Sequence, residues 1–309
     1  MSTVFGPVPS RRLGRSLGVD PVHLKTCNWN CVYCQLGRTR RWCRERQEFI
    51  PPRAILNDLE KALAEHPAET IDWVTFVGGG EPTLHSGLGW LIRQAKERTR
   101  LPVAVITNGS LLSDPGVRDE LFAADVVLPS LDAGTPNLYR RLNRPASAFR
   151  FERHLEGLIR FCEQTPGLVW LEVMLVHGMN DSEVALHAIA ACIDTVRPDE
   201  LHLMTPLRPA AEAWVRPPDA AAIELALSIL GPRARVPDAE CGQVQLQDHG
   251  DLPAALLEVI TRHPTREAEL LTALDERRQA EVLEALQSLA EAGQAQTVSR
   301  DGDRFWRAG

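Results

Sequence analysis

Lysine is nearly missing from this 309-residue chain: three lysines stand against 31 arginines. A bias that runs the whole length carries no local signal, so basic side chains inform only where they cluster. Long apolar runs are missing too. No stretch of ~18 apolar residues occurs, which excludes a membrane-spanning helix. The opening Met-Ser-Thr-Val-Phe-Gly-Pro lacks the apolar segment of a signal peptide. A reducing cytoplasm is therefore the expected compartment. Seven cysteines are too sparse, and odd in number, for a disulfide scaffold, which belongs to short secreted chains. No internal repeat and no low-complexity segment occurs.

Three of those cysteines are close together. Cys27, Cys31 and Cys34 follow a C-x3-C-x2-C spacing in Lys-Thr-Cys-Asn-Trp-Asn-Cys-Val-Tyr-Cys-Gln. No cysteine precedes them, and no second C-x2-C knuckle accompanies them. Zinc sites usually pair two knuckles or combine a pair of cysteines with a pair of histidines. One alternative is zinc with a fourth ligand from elsewhere. The other is a four-iron cluster, whose usual protein ligands are thiolates. Three thiolates hold three irons and leave the fourth open to a small molecule. The net charge is −7, yet residues 1–53 carry ten Lys or Arg against three Asp or Glu. Arg11, Arg12, Arg15, Lys25, Arg38, Arg40, Arg41, Arg44 and Arg46 surround the cysteines. Such a rim concentrates anions, or is simply a solvated arginine face.

Along the chain, residues 1–18 read as an irregular arm rich in Pro, Gly and Arg. Six strand-like segments follow: Leu17–Leu24, Trp73–Val77, Val103–Thr107, Val126–Leu131, Val169–Val176 and Leu201–Met204. Helical segments alternate with them at Ala54–Glu65, Leu88–Arg98, Pro115–Ala123, Phe151–Gln164, Ser182–Thr195 and Ala220–Leu230. Apolar runs such as Val-Thr-Phe-Val suit strands covered on both faces. The alternation predicts right-handed βαβ units in an α/β fold. Beyond about Gln247 the pattern changes. Helical stretches at Leu252–Arg262, Glu267–Leu274 and Gln279–Ala292 precede two strand-like pieces around Gly302, an arrangement resembling a winged helix. The expected division is 1–245 and 246–309.

Unusual short motifs fall at strand C-terminal ends, where α/β folds gather function. Gly78-Gly79-Gly80-Glu81-Pro82 follows the second strand. Glycines admit close backbone approach and leave carbonyls to accept from an amine. Thr107-Asn108-Gly109 ends the third strand, Ser130 and Asp132 the fourth, and Thr205-Pro206 the sixth. Each has a plain reading as well: a turn, a helix cap or an edge.

Taken together, the cysteine loop and the glycine turn one βα unit later resemble the radical S-adenosylmethionine (SAM) superfamily. Phe-Gly-Pro-Val-Pro-Ser-Arg-Arg-Leu-Gly-Arg-Ser-Leu-Gly, Phe-Val-Gly-Gly-Gly-Glu-Pro-Thr-Leu, Ser-Leu-Asp-Ala, Leu-Asn-Arg-Pro and Thr-Pro-Leu-Arg-Pro resemble an iron–sulfur oxidoreductase subgroup. That subgroup is distantly similar to the imidazo-guanine synthase of the wybutosine tRNA pathway. The resemblance implies a partial (β/α)6 barrel. It implies one [4Fe-4S] cluster on Cys27, Cys31 and Cys34, with SAM chelated at the open iron. SAM contacts are implied for Tyr33, Gly79, Gly80, Glu81, Asn108, Ser130, Asp132, Arg144 and Thr205. The implied reaction is reductive cleavage of SAM to a 5′-deoxyadenosyl radical that abstracts hydrogen from an unidentified substrate. An electron donor such as flavodoxin or ferredoxin is implied too.

The chain departs from the wybutosine enzyme, which holds a second cluster on cysteines upstream of this loop. Cys43, Cys162 and Cys192 read as bystander or core residues. Cys241, in Ala-Glu-Cys-Gly, is a candidate catalytic hydrogen donor. His85 reads as a capping or core histidine rather than a catalytic acid, while His177 and His202 are candidate substrate contacts. Two further readings stay open, an RNA-modifying enzyme and an iron–sulfur DNA-binding sensor. Residues 251–309 hold eleven Asp or Glu and seven Arg. Glu281, Glu284 and Glu291 mark the third helix, where phosphate contact requires positive charge. DNA is therefore disfavoured, and the tail reads as a docking or substrate-capping module. All the strand-end motifs precede Pro209, so the SAM site is expected to be independent of the tail.

Overall fold

The structure, a computed structural model, describes residues 2–237, 251–273, 278–300 and 302–309. β1 (Val4–Ser10) and β2 (Gly14–Val19) form an antiparallel hairpin. The expected irregular arm is therefore a sheet edge. Pro7 and Pro9 have no N–H to give, and an edge strand, paired on one side, tolerates that. The register slips between Phe5 and Val8. β2 stops at Val19, short of the expected Leu24, because Pro21 cannot donate to a ladder.

In the cysteine loop, β3 (Thr26–Cys27) pairs in parallel with β4 (Arg41–Trp42). Next come α1 (Pro52–Glu65), β5 (Trp73–Phe76), α2 (Leu88–Thr99), β6 (Val103–Thr107) and α3 (Pro115–Leu121). These are followed by β7 (Val126–Pro129), α4 (Pro136–Leu142), α5 (Phe151–Gln164), β8 (Leu168–Met174) and α6 (Glu183–Val196). The core ends with β9 (Glu200–Met204), α7 (Ala220–Leu230) and β10 (Ala234–Arg235). The sheet runs β1-β2-β5-β6-β7-β8-β9-β10. From β2 to β10 every neighbour is parallel. The six expected strands are present, with β1 and β10 added at the edges. The fold is α/β, of the partial-barrel kind.

Both faces of the sheet are filled, as alternating side chains require. Val103 and Val105 join the large cluster beneath the helices. Ala104 joins Leu13, Val126 and Leu128 on the opposite face, with Trp73, Ile106 and Trp170 against them. The β1–β2 turn thus sends Leu13 into the inner face. Arg12, beside it, reaches Glu172 on β8 and lies 4.0 Å from Met204 Sδ on β9. α4 was not foreseen. Arg140 and Arg141 lie in its last turn, and the Thr135 side chain caps its start ahead of Pro136.

The C-terminal segment comprises α8 (Leu252–Arg262), β11 (Thr265–Arg266), α9 (Glu267–Leu271), α10 (Gln279–Glu291), β12 (Ala295–Arg300) and β13 (Asp303–Ala308). Its sheet order is β11-β13-β12. Leu256, Ile260, Leu270, Val282, Leu286 and Trp306 build an apolar cluster of its own. β11 was not foreseen, α9 ends at Leu271, and the expected boundary at 245/246 lies outside the described residues. No described helix is long and apolar enough to cross a membrane.

Candidate active site

The loop after β2 carries the three cysteines over the strand ends. Each sulfur has one side-chain nitrogen 3.8 Å away: Lys25 Nζ for Cys34, Asn108 Nδ2 for Cys27 and Asn143 Nδ2 for Cys31. The Trp29 N–H also points at Cys27 Sγ, at 3.4 Å. Burial, then the Glu81 charge, pushes the Cys27 thiol up to about 12. Burial and Asp132 raise Cys31 as well. Thiolates here need a cationic centre to hold them. Among the described residues, no three His, Cys, Asp or Glu converge on a single-ion site. A four-iron cluster asks for a different donor set, each thiolate holding its own iron. The three sulfurs with their N–H donors fit such a group.

The turn after β5 packs against this loop. A Cβ at Gly80 would lie 1.7 Å from the Thr26 carbonyl oxygen, and one at Gly79 would lie 2.9 Å from Leu24 Cα. Gly78 holds φ +130°, which side chains rarely adopt. The Gly79 carbonyl accepts the Lys25 N–H, and the Thr26 carbonyl accepts the Glu81 N–H. These glycines therefore join the turn to the cysteine loop. Glu81, 2% exposed, has its acceptor sites filled by the chain itself. Its Oε1 accepts from Thr83 N–H, Thr83 Oγ1 and Thr107 Oγ1, and its Oε2 from the Asn108 N–H. Burial raises its pKa.

Asn108 Nδ2 donates to Asn28 Oδ1 at 2.8 Å, and Asn28 Nδ2 to Ser110 Oγ at 2.7 Å. Across the mouth, Tyr33 donates its hydroxyl to Asp132 Oδ2 at 2.5 Å. Asn143 Nδ2 reaches the same oxygen at 2.6 Å, and the Met174 N–H takes Oδ1 at 2.8 Å. Burial raises Asp132 too. Ser130 bonds through its backbone, N–H to Thr107 O and carbonyl to His154 Nε2. The Thr205 carbonyl accepts the Leu207 N–H. Arg144, with φ +46°, places its guanidinium on Glu212, which also receives Arg38. A protein carboxylate thus occupies the guanidinium for which a SAM contact was expected.

Tyr33, Asn108 and Asp132 are brought together with Cys27, Cys31 and Cys34, while Ser130 and Thr205 stand at neighbouring strand ends. Cys241 lies outside the described residues. Cys162 and Cys192 pack against the main core. His85 is fully buried, its Nδ1 accepting the Gly87 N–H and its Nε2 bonded to Ile50 O. It is thus both buried and a cap, the two plain roles expected of it. His177 is exposed beside Asp181, and His202 is buried beside Glu200. Asn28 and Asn143 were given no role from sequence, and Lys25 only a place in the basic rim. The signal for Lys25 was present, one of three lysines lying two residues from a cysteine. Asn143 stood in the Leu-Asn-Arg-Pro motif without its partner being apparent.

Comparison with known proteins gives the family. Residues 22–188, more than half of the chain, match the family described as the Radical SAM superfamily. The UPF0026 protein MJ1312 of Methanocaldococcus jannaschii is 35% identical over 229 residues, 74% of this chain and 71% of that protein. GTPase Obg of Brachyspira hyodysenteriae is 41% identical over 205 residues, 66% of this chain but 30% of that protein. This sequence holds no Gly-Lys-Ser/Thr phosphate loop. A radical SAM methyltransferase from Sphaerobacter thermophilus superposes with a TM-score of 0.56 at 20% identity, covering 72% of this chain and 65% of that one. Its likeness extends to the fold alone. With its three-cysteine loop and glycine turn set at the ends of a parallel sheet, the chain belongs to the radical SAM superfamily and is an enzyme of that type.

Proposed function

We propose that the chain cleaves SAM at a single [4Fe-4S] cluster held by Cys27, Cys31 and Cys34, and acts on an anionic substrate. When bound and reduced by an external one-electron donor, the cluster would pass that electron to SAM, which would split into methionine and a 5′-deoxyadenosyl radical to remove hydrogen from substrate. The observation that carries this reading is the matching of three sulfurs to three N–H donors from separate segments. Lys25, Asn108 and Asn143 stabilise thiolate charge by donating toward it. Tyr33 and Asp132 border the same mouth, and the Gly78–Glu81 turn offers backbone to the amino acid end of SAM. Arg40, Arg41 and Arg44 are exposed around Trp42, itself 49% exposed and paired with Cys27 through β3 and β4. This surface suits an anionic substrate, RNA included. The C-terminal segment, read as a winged-helix-like module of residues 246–309, presents Glu281, Glu284 and Glu291 on exposed positions of α10. Those charges favour a docking or capping role over phosphate binding.

Anaerobic reconstitution tests the reading. About four irons per chain are expected, with the absorption and electron resonance of a four-iron cluster. Cys27→Ala, Cys31→Ala or Cys34→Ala should each abolish both signals. Wild-type protein that takes up zinc alone under these conditions would refute the cluster.

A further inference from the structure

The glycine turn is braced from outside the barrel. Asp20, the residue after β2, accepts the Gly79 N–H on Oδ2 at 2.8 Å. The same side chain fills the space beside Gly78 and Gly79, where a Cβ would come within 2.7 and 2.8 Å of it. Asp20 is 5% exposed. Among the described residues, the cation at ion-pair distance is Arg262, whose Nε lies 3.6 Å from Oδ2. Arg262 is the last residue of α8, in the C-terminal segment, and is 6% exposed. Its guanidinium sits 4.9 Å over the Phe5 ring and donates to the Ser2 carbonyl at 2.6 Å. Its own carbonyl accepts from Gln35 Nε2 at 3.3 Å, one residue beyond Cys34. A single residue of the tail thus meets the glycine turn through one carboxylate and the cysteine loop through one backbone oxygen.

We infer that Arg262 is a positioning residue: through Asp20 it holds the Gly78–Glu81 turn in the geometry that receives SAM. This rests on the reading of that turn as part of the SAM site. A buried carboxylate without its cation is strongly unfavourable, and it escapes by taking a proton or turning toward water. Either change loosens its grip on the Gly79 N–H. A stretch of three glycines has the most backbone freedom to lose order. If the competent turn is then only a fraction of the ensemble, apparent SAM affinity falls by that fraction. The site is therefore not independent of the tail, as its motifs alone suggested. The coupling is also reciprocal, so bound SAM favours the docked tail.

Full-length reconstituted protein and its Arg262→Met, Arg262→Lys, Asp20→Asn and Asp20→Asn/Arg262→Met variants provide the test. Two quantities are measured: the SAM dissociation constant, and amide hydrogen exchange over residues 76–82 without SAM. Arg262→Met should weaken SAM binding about tenfold and speed exchange in that segment, leaving β6 protected. Arg262→Lys, which keeps the charge, should recover most of both. In the Asp20→Asn background, where no charge needs a partner, Arg262→Met should change neither further. Should Arg262→Met fail to fold, the Lys variant and the Asp20→Asn pair carry the comparison. Wild-type affinity and exchange in Arg262→Met would overturn the inference. If wild-type protein binds no SAM, the functional reading fails, while exchange in residues 76–82 still decides whether Arg262 braces the turn.

Discussion

Glu81 shows how one side chain can be required by the fold inside a motif that resembles a ligand site. Three donors converge on its Oε1 and one on its Oε2. Glu81→Gln would turn an amide nitrogen, itself a donor, toward at least one of them. A buried donor left without an acceptor costs about 1–3 kcal/mol, and more where the lost acceptor was charged. We expect Glu81→Gln to lower stability by about 2–3 kcal/mol, read as a shift of the urea midpoint with an unchanged slope. A midpoint within error of wild type would mean that the carboxylate is dispensable to the strand ends. The sequence placed Glu81 at the turn correctly, because Gly-Gly-Gly-Glu-Pro after an apolar run has one sensible position. It did not show where the carboxylate points, because Thr107 and Asn108 lie a whole βα unit away. The same holds for Arg144, whose partner Glu212 is 68 residues on.

Among the elements, the six parallel strands were legible because each holds a short apolar run, with Gly, Asn, Asp or Pro following within a few residues. β1 was not, since Pro7 and Pro9 argue against a strand unless it is known to be an edge. α4 was hidden for another reason: seven residues carry too little periodicity, and two of them are arginines. The hairpin turn between β1 and β2 has the largest consequence. It sends Leu13 and Arg12 into the inner face of the sheet, where Arg12 meets Glu172, 11% exposed at the side chain. Burial raises the Glu172 pKa and the Arg12 charge opposes that shift. Arg12→Met would keep most of the apolar stem and leave the carboxylate unpaired. The expected cost is about 3 kcal/mol, because breaking one side of a buried pair strands the other. Arg12→Met/Glu172→Met should recover much of that loss. Calorimetric melting of the three proteins checks this, and equal losses in the single and double variants would show that the pair is not what holds the hairpin turn in place.

For the whole molecule, acidity should act through buried histidines. His154, 2% exposed, donates from Nε2 to Ser130 O, stacks 5.5 Å from Tyr139 and meets Trp29 edge-on. Burial pushes its pKa down to about 4. His263 sits where the tail meets the core, 5.8 Å from the Phe5 ring, and its Nδ1 accepts from Arg208, so the ring is neutral. Burial, then Arg208, Arg262 and Arg12, push it down to about 3. Both rings stay neutral in the folded chain below pH 6.5, where the unfolded chain protonates them. Stability is therefore lost as pH falls from about 6.5 toward 4, by up to about 3 kcal/mol for His154. Asp20 has the opposite sign. Its pKa is raised to about 6, mainly by burial, so its cost to folding is relieved as pH falls from about 6 to 4. Burial shifts Glu81, Asp132, Glu172 and Glu258 the same way as Asp20, and His85 and His202 the same way as the two histidines. The sign therefore belongs to one group at a time, and the His263 contribution lowers the melting temperature between about pH 7 and pH 5. His263→Asn keeps an acceptor for Arg208 and removes the proton site. It should flatten that drop, whatever it does to stability near neutral pH. Because His263 follows Arg262 directly, the flattening should be accompanied by slower exchange in α8 in mild acid than in wild type. A drop of unchanged size in His263→Asn would show that acid acts elsewhere, and that the seam between tail and core holds its charges without strain.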